Sequence, residues 1–426
     1  SNALTISQMI IAGGGSGDVT LDHAAALNLN VDVSASGSIT EFGGGAVLVG
    51  GAGTRTVSAA GGNVSFAGPV TSSTPLVINA GTGSGGGLIS LLSGVSTGGK
   101  DVELNGRNWA LTSSPIGSID VGAGNLRISH ATNGTINLAG TGGGANSILD
   151  TANLARLTSS GKLFLGDASF GDTVNVAGNA DLAASTPNVV IQASSVTQGS
   201  GRIGVPNVPA HLLGFSTAAG VRADISGSGG NANLYASNTT SGAIVLNVVS
   251  GNTQISNNAS TAALSNAGGG VDVSVQTGSL TVSSSGGGVQ GTGSVVLRSS
   301  GDMTVDSPVQ SASGNVTLVA GRATGMASPG IGEGIWGSAA PYQLSSVSIN
   351  APVRAGYASL NGAVNIYSTG PVTQSNSVDA GLQAFHSDPF TQGNLKVVTF
   401  NDATQGAKIT LENDKQSSAN PGSIGD

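Results

Sequence analysis

The stretch 303–321, MTVDSPVQSASGNVTLVAG, restricts the fold more than any other feature of the chain. Met303 and Val305 alternate with polar residues, Pro308-Val309 follows, and a second alternating pair, Val316 and Leu318, completes the unit. The same order recurs. Val64 and Phe66 precede Pro69-Val70 and then Leu76 and Ile78, and Val347 and Ile349 precede Pro352-Val353 and then Val364 and Ile366. In each copy the proline stands three residues after the second apolar position, while its distance to the next pair varies. A further corner is Pro371-Val372. A fixed corner followed by a connection of tolerant length marks a structural repeat.

Apolar pairs of the same kind run along the chain, among them Val19/Leu21, Val31/Val33, Val47/Val49, Val102/Leu104, Leu126/Ile128, Leu163/Leu165, Val174/Val176, Leu280/Val282 and Ile409/Leu411. Alternation over so few residues means short strands with one inward face. Leu297 and Leu318 occupy equivalent positions 21 residues apart, a solenoid period. A leucine-rich repeat would need a fixed Leu/Asn consensus, and a propeller would need longer blades with a recurring signature; the chain has neither. The pattern predicts an all-β fold, a parallel β-helix with two or three strands per lap and on the order of 20 laps. One lap cannot bury its apolar face, but stacked laps bury it in a continuous column. Asn63, Asn125, Asn137, Asn315 and Asn365 stand just before or inside strands, where stacked amides can hydrogen-bond from lap to lap.

Of 426 residues 70 are glycine and only 8% are charged, which raises the question of disorder. Disorder goes with low hydrophobicity and high net charge. Here 38% of residues are hydrophobic and regularly placed, so the glycines read as corners of an ordered chain. Residues 4–415 read as one solenoid with irregular insertions near 205–222, 322–346 and 382–394, and with one or two helical turns in 149–160. Residues 416–426 form a polar tail. Ser1-Asn2-Ala3 reads as a scar of tag removal, which would leave the natural start of the protein elsewhere.

The net charge is −8, and the 14 lysines and arginines are scattered singly, so no surface tracks nucleic-acid phosphates. With no cysteine there is neither disulfide nor thiolate metal site. No apolar run approaches the roughly 20 residues of a helical membrane span.

The laps GDMTVDSPVQSASGNVTLVAG (301–321) and SINAPVRAGYASLNGAVNIYSTGPVTQ (348–374), the block LDTANLARLTSSGKLFLGDASFGDTVNVAG (149–178) and the lap SSVTQGSGRIG (194–204) together resemble filamentous haemagglutinin-type large exoproteins of Gram-negative bacteria. The resemblance covers nearly the whole chain. It implies a right-handed β-helical shaft of an adhesin, at the cell surface or released from it, exported through an outer-membrane transporter. The secretion domain of such proteins carries Asn-Pro-Asn-type motifs, and none stands here.

Candidate chemistry is sparse. Asp18 with Asp22 and His23, and Asp302 with Asp306, are spaced four apart, as residues sharing one face of a strand are. Turn and edge roles are the simpler reading of both pairs. GGGSGDVTL (13–21) misses the calcium-repeat pattern, because Ser16 stands where a glycine is required. His23, His130, His211 and His386 are far apart in sequence. Five N-x-[ST] sequons occur, at Asn63, Asn133, Asn238, Asn258 and Asn315. Glu333, Trp336 and Tyr342 in the long insertion form the candidate partner-binding loop, with His386 and Asp388 in another. Nothing in the sequence calls for a cofactor or a metal.

The expectation is a non-catalytic adhesin shaft, extracellular or on the bacterial surface, contacting a receptor or glycan of a host or bacterial cell. The stalk of a contact-delivered toxin is a variant of it. A β-helical polysaccharide lyase or hydrolase is the alternative. A groove gathering three or more carboxylates, arginines or lysines favours that enzyme, and a coat of Ser, Thr and Asn favours the shaft.

Overall fold

The computed structural model describes residues 3–82, 87–111, 118–140, 147–182, 188–205, 212–257, 262–321, 345–358, 362–375, 382–384, 395–399 and 409–410. It is nearly all β, 53% strand and 2% helix, with parallel sheets stacked as a β-solenoid of about 13 turns. The turns are fewer than the pattern suggests because each takes three strands and several carry long connections. Two compact units divide the chain, one of Ser1–Pro206 with Leu213–Thr217, the other of Asn207–Leu212 with Ala218–Asp426.

In the first unit three walls repeat in order. Strands Leu4–Ile6, Leu27–Leu29, Val47–Val49 and Val70–Ser72 stack on one wall, and Val33–Ala35, Arg55–Ala59, Leu76–Ala80, Val102–Asn105, Leu126–Ser129 and Lys162–Leu165 on the next. Val19–Leu21, Ile39–Glu41, Val64–Phe66, Leu88–Leu91 and Asn108–Ala110 make the third. The alternating pairs point inward as expected: Val47, Val64, Phe66, Leu104 and Ile128 are all buried. One pair is displaced by a step, since Val33 and Ala35 face the core while Val31 precedes the strand.

The second unit repeats the scheme. Met303–Val305 pairs in parallel with Val347–Ile349, Val309–Ser311 with Val353–Ala355, and Val316–Ala320 with Val364–Ser368. The two copies aligned through their Pro-Val corners are therefore adjacent turns, residue on residue. The Val309 N–H donates to the carbonyl of Pro352 across that corner (2.9 Å). The lap between them includes residues 322–344, yet the register on either side is kept.

Two features escape the short-strand pattern. Val221–Asn238 is one strand of 18 residues, paired through Leu234 with Ile244–Ile255 of 12 and then, over Ala236–Asn238, with Leu264–Asn266. Its register shifts on either side of Ser226, and the pairing passes over 227–230 in SGSGG (226–230) to resume at Asn231, as glycines in a strand allow. Within 205–222, where an insertion is expected, residues 206–211 lie outside the described residues and much of the rest is strand. Ile203–Val205 and Leu212–Thr217 are both strands, and Leu213, Phe215 and Thr217 face inward. A buried Gly214 between two inward residues hides that alternation in the sequence.

The helical expectation for 149–160 narrows to one turn, Thr151–Leu154, capped by Asp150, whose carboxylate accepts the Asn153 N–H (2.7 Å). Before it, Ser147–Leu149 adds an extra parallel strand beside Thr135–Leu138.

Candidate functional site

Among the described residues the buried carboxylates and imidazoles fall in two clusters. Glu41 ends the strand Ile39–Glu41 with its side chain inward and 1% exposed. Its carboxylate accepts the N–H groups of Gly43, of Ala67 (2.8 Å) and of Gly68 (2.9 Å), and meets His23 Nε2 at 2.7 Å. His23 Nδ1 donates to the Ala25 carbonyl (2.5 Å). The pair thereby ties together the corners of three successive turns. In the second cluster His130 Nδ1 lies 3.3 Å from Asp172 Oδ1, and Asp172 Oδ2 accepts the N–H groups of His130 (3.1 Å) and Asp167 (2.9 Å). The indole of Trp109 stacks on the His130 ring, centroids 5.7 Å apart and planes 3° from parallel. Gly134 is required beside it, since a Cβ there would meet His130 Nδ1 at 1.8 Å. Both clusters are sealed, which gives them structural work.

The corners carry the side-chain ladders that the asparagines suggested. Asp18 accepts the Ser38 N–H (2.6 Å), the Ser38 hydroxyl oxygen accepts the Asn63 N–H (3.1 Å), and Asn63 accepts the Leu88 N–H (2.8 Å). Asp101 likewise accepts from Asn125, and Asn125 from Lys162. Asn315 accepts from Ala363 (2.9 Å), and Asn175 donates its amide to Asn137 (2.8 Å). Asn365 is in register with Thr317 and Lys396. Three of the four paired acids take such roles: Asp18 as above, Asp302, which accepts the Ser346 N–H (2.7 Å), and Asp306, which accepts from the Asn350 amide (2.7 Å). His23 turns away from its neighbouring aspartates to Glu41.

A groove of about 340 Å³ lies on the outer face of the second wall of the first unit. Two files of side chains line it. The residues just before four successive strands, Thr54, Pro75, Asp101 and Asn125, make one rim. The outward residues Val77, Glu103, Arg127 and Phe164 make the other, in register on consecutive turns. Each file thus runs along the stacking direction over four turns, roughly 15 Å at 4.8 Å per turn. Arg127 lies over the Phe164 ring at 4.8 Å and donates to Gly166 O (3.2 Å) and Gln192 Oε1 (2.8 Å), with Asp167 Oδ2 at 3.4 Å. Glu103 accepts from the Asn105 amide (2.7 Å). The Thr54 rim is held by Arg55, which donates to Gly50 O (2.8 Å) and Ala52 O (2.6 Å).

The expected binding loop with Glu333, Trp336 and Tyr342 lies outside the described residues, as do His211, His386 and Asp388. Among the described residues no group of three or more His, Asp or Glu is placed to hold a metal ion. The Asn238 sequon is closed in the folded chain, because that side chain is 1% exposed and its amide donates to Ser241 O and Asn266 Oδ1.

No protein-family model matches the chain, and neither a curated protein nor a solved structure matches it.

Proposed function

We propose that the protein is a non-catalytic attachment shaft, extracellular or on a bacterial surface, whose outer walls contact a receptor or glycan of another cell, with export through an outer-membrane transporter. The observation that carries this reading is a wall of the second unit on which buried apolar side chains alternate with an outer file of small polar ones. In the second unit Thr281, Thr304, Ser348 and Thr373 follow one another in register on the outside, while Leu280, Met303, Val347 and Val372 are fully buried. Such a surface recurs from turn to turn, and the stacked turns beneath it bury their apolar faces against one another.

The test is adhesion. Beads coated with the purified chain should bind a panel of epithelial and bacterial cells more than beads coated with an unrelated acidic protein. Equal binding across the whole panel would remove the proposal.

A second reading, a carbohydrate-active enzyme, is favoured by one observation: the groove collects Asp101, Glu103 and Arg127. Each already has a partner within the chain, as described above, which speaks for the shaft. Release of reducing ends or of unsaturated sugars from polysaccharides by the purified chain would reverse that preference.

A further inference from the structure

The groove of the first unit offers a specific chemistry. One turn lays Pro75 and Val77, short and apolar, across the groove floor, with the buried Leu76 and Val102 beneath. The next turn brings Asp101 and the half-exposed Glu103 to the same space. Pro75 has no N–H to donate. Arg127 Nη1 is directed to Gly166 and Gln192. The groove therefore sets two carboxylate acceptors beside an apolar row, which suits a visitor that brings hydrogen-bond donors. Two carboxylates against one arginine that also faces Asp167 make it unfavourable for an anion. A cationic side chain would seek the carboxylates and an aromatic face together. Arg127 already stands over Phe164, and its charge opposes a second cation there.

Donor-rich, uncharged and partly apolar describes a sugar ring, with hydroxyls at its rim and C–H groups on its faces. The length of the groove adds a linear requirement, because each successive turn adds one residue to each of its two files. We propose that this groove binds an uncharged oligosaccharide of about three sugar residues lying along the stacking direction. Its ring faces rest on Pro75 and Val77, and its hydroxyls donate to Asp101 and Glu103. Arg127, clamped over Phe164, closes one end. The attachment reading supplies the purpose of this site, but the site's own test does not depend on it.

The test titrates the full chain by calorimetry with cellohexaose, chitohexaose, maltohexaose and xylohexaose, and separately with oligogalacturonate and hexalysine. At least one neutral hexasaccharide is expected to bind. Val77→Arg, which fills the groove, should abolish that binding, and Glu103→Gln, which keeps an acceptor for Asn105, should weaken it about tenfold. Thr71→Arg, on a different wall, should leave it unchanged, and circular dichroism should match across all variants. The proposal is overturned if no neutral sugar binds at millimolar concentration, if oligogalacturonate or hexalysine binds more tightly, or if Glu103→Gln binds like the parent protein. Cell adhesion by the same proteins separates the two ideas. Adhesion that survives Val77→Arg with sugar binding gone places attachment elsewhere on the walls. Sugar binding without adhesion removes the shaft reading alone.

Discussion

Glu41 and His23 meet at 2.7 Å inside the column, a carboxylate and an imidazole both almost wholly shielded from water. Glu41 also receives N–H groups from the corner after its own strand and from Ala67 and Gly68 one turn on. Glu41→Ala would leave those donors and His23 without an acceptor. Loss of a buried charged partner costs about 3–5 kcal/mol. The urea midpoint of the variant should fall markedly, and Glu41→Gln, which keeps an amide oxygen, should fall less. An unchanged midpoint for Glu41→Ala would show that the carboxylate does not organise these corners.

Leu297 and Leu318 are register partners on adjacent turns, and both are fully buried. Either leucine replaced by alanine should cost about 2–5 kcal/mol. Because they share one packing layer, the double variant should differ from the sum of the singles by more than about 0.5 kcal/mol. Strict additivity in a double-mutant cycle would count against contact between the two layers.

Asn63 stands between Ser38 on one turn and Leu88 on a later one. Asn63→Ala removes the acceptor of the Leu88 N–H but spares the backbone bond that Asn63 itself donates. The expected loss is about 1 kcal/mol. Hydrogen exchange should accelerate at Leu88 and leave Asn137, on another ladder, as before; uniform acceleration would mean a general loosening instead.

Burial of Tyr235 raises its phenol above the ordinary value of 10.0, since the protein interior disfavours the phenolate. A group whose folded value is raised favours the protonated state on folding. Its contribution to stability is therefore complete below pH 10 and is lost as pH climbs through the folded value. Alkaline absorbance titration should show one tyrosine ionising late, and Tyr235→Phe should delete that late step. A titration curve unaltered by the substitution would contradict the assignment.

Much of the architecture was legible because strand geometry writes itself into short sequences. Val64 and Phe66, or Met303 and Val305, each announce an inward face two residues apart, and the Pro-Val corner marks where the chain turns. The ladders were partly legible for the same reason: an asparagine just before a strand has nowhere to place its oxygen except toward the next turn. Glu41 could have been found by the alternation rule, since Ile39 and Glu41 share a face. The groove was harder. Val102/Leu104, Leu126/Ile128 and Leu163/Leu165 imply that Glu103, Arg127 and Phe164 point outward. That the three are neighbours depends on register across 24 and then 37 residues, the second interval lengthened by an added strand and a helical turn. No local pattern encodes that spacing. The long strands Val221–Asn238 and Ile244–Ile255 were hidden because glycine can carry a strand round a corner where the sequence reads as a break.

Within each unit the backbone hydrogen bonds connect one turn to the next. A pull along the stacking direction would therefore load only the outermost rung of three short strands, while the rungs below stay at rest. The column should yield stepwise, like thread drawn from a spool, each release paying out a single coil and leaving the remainder wound.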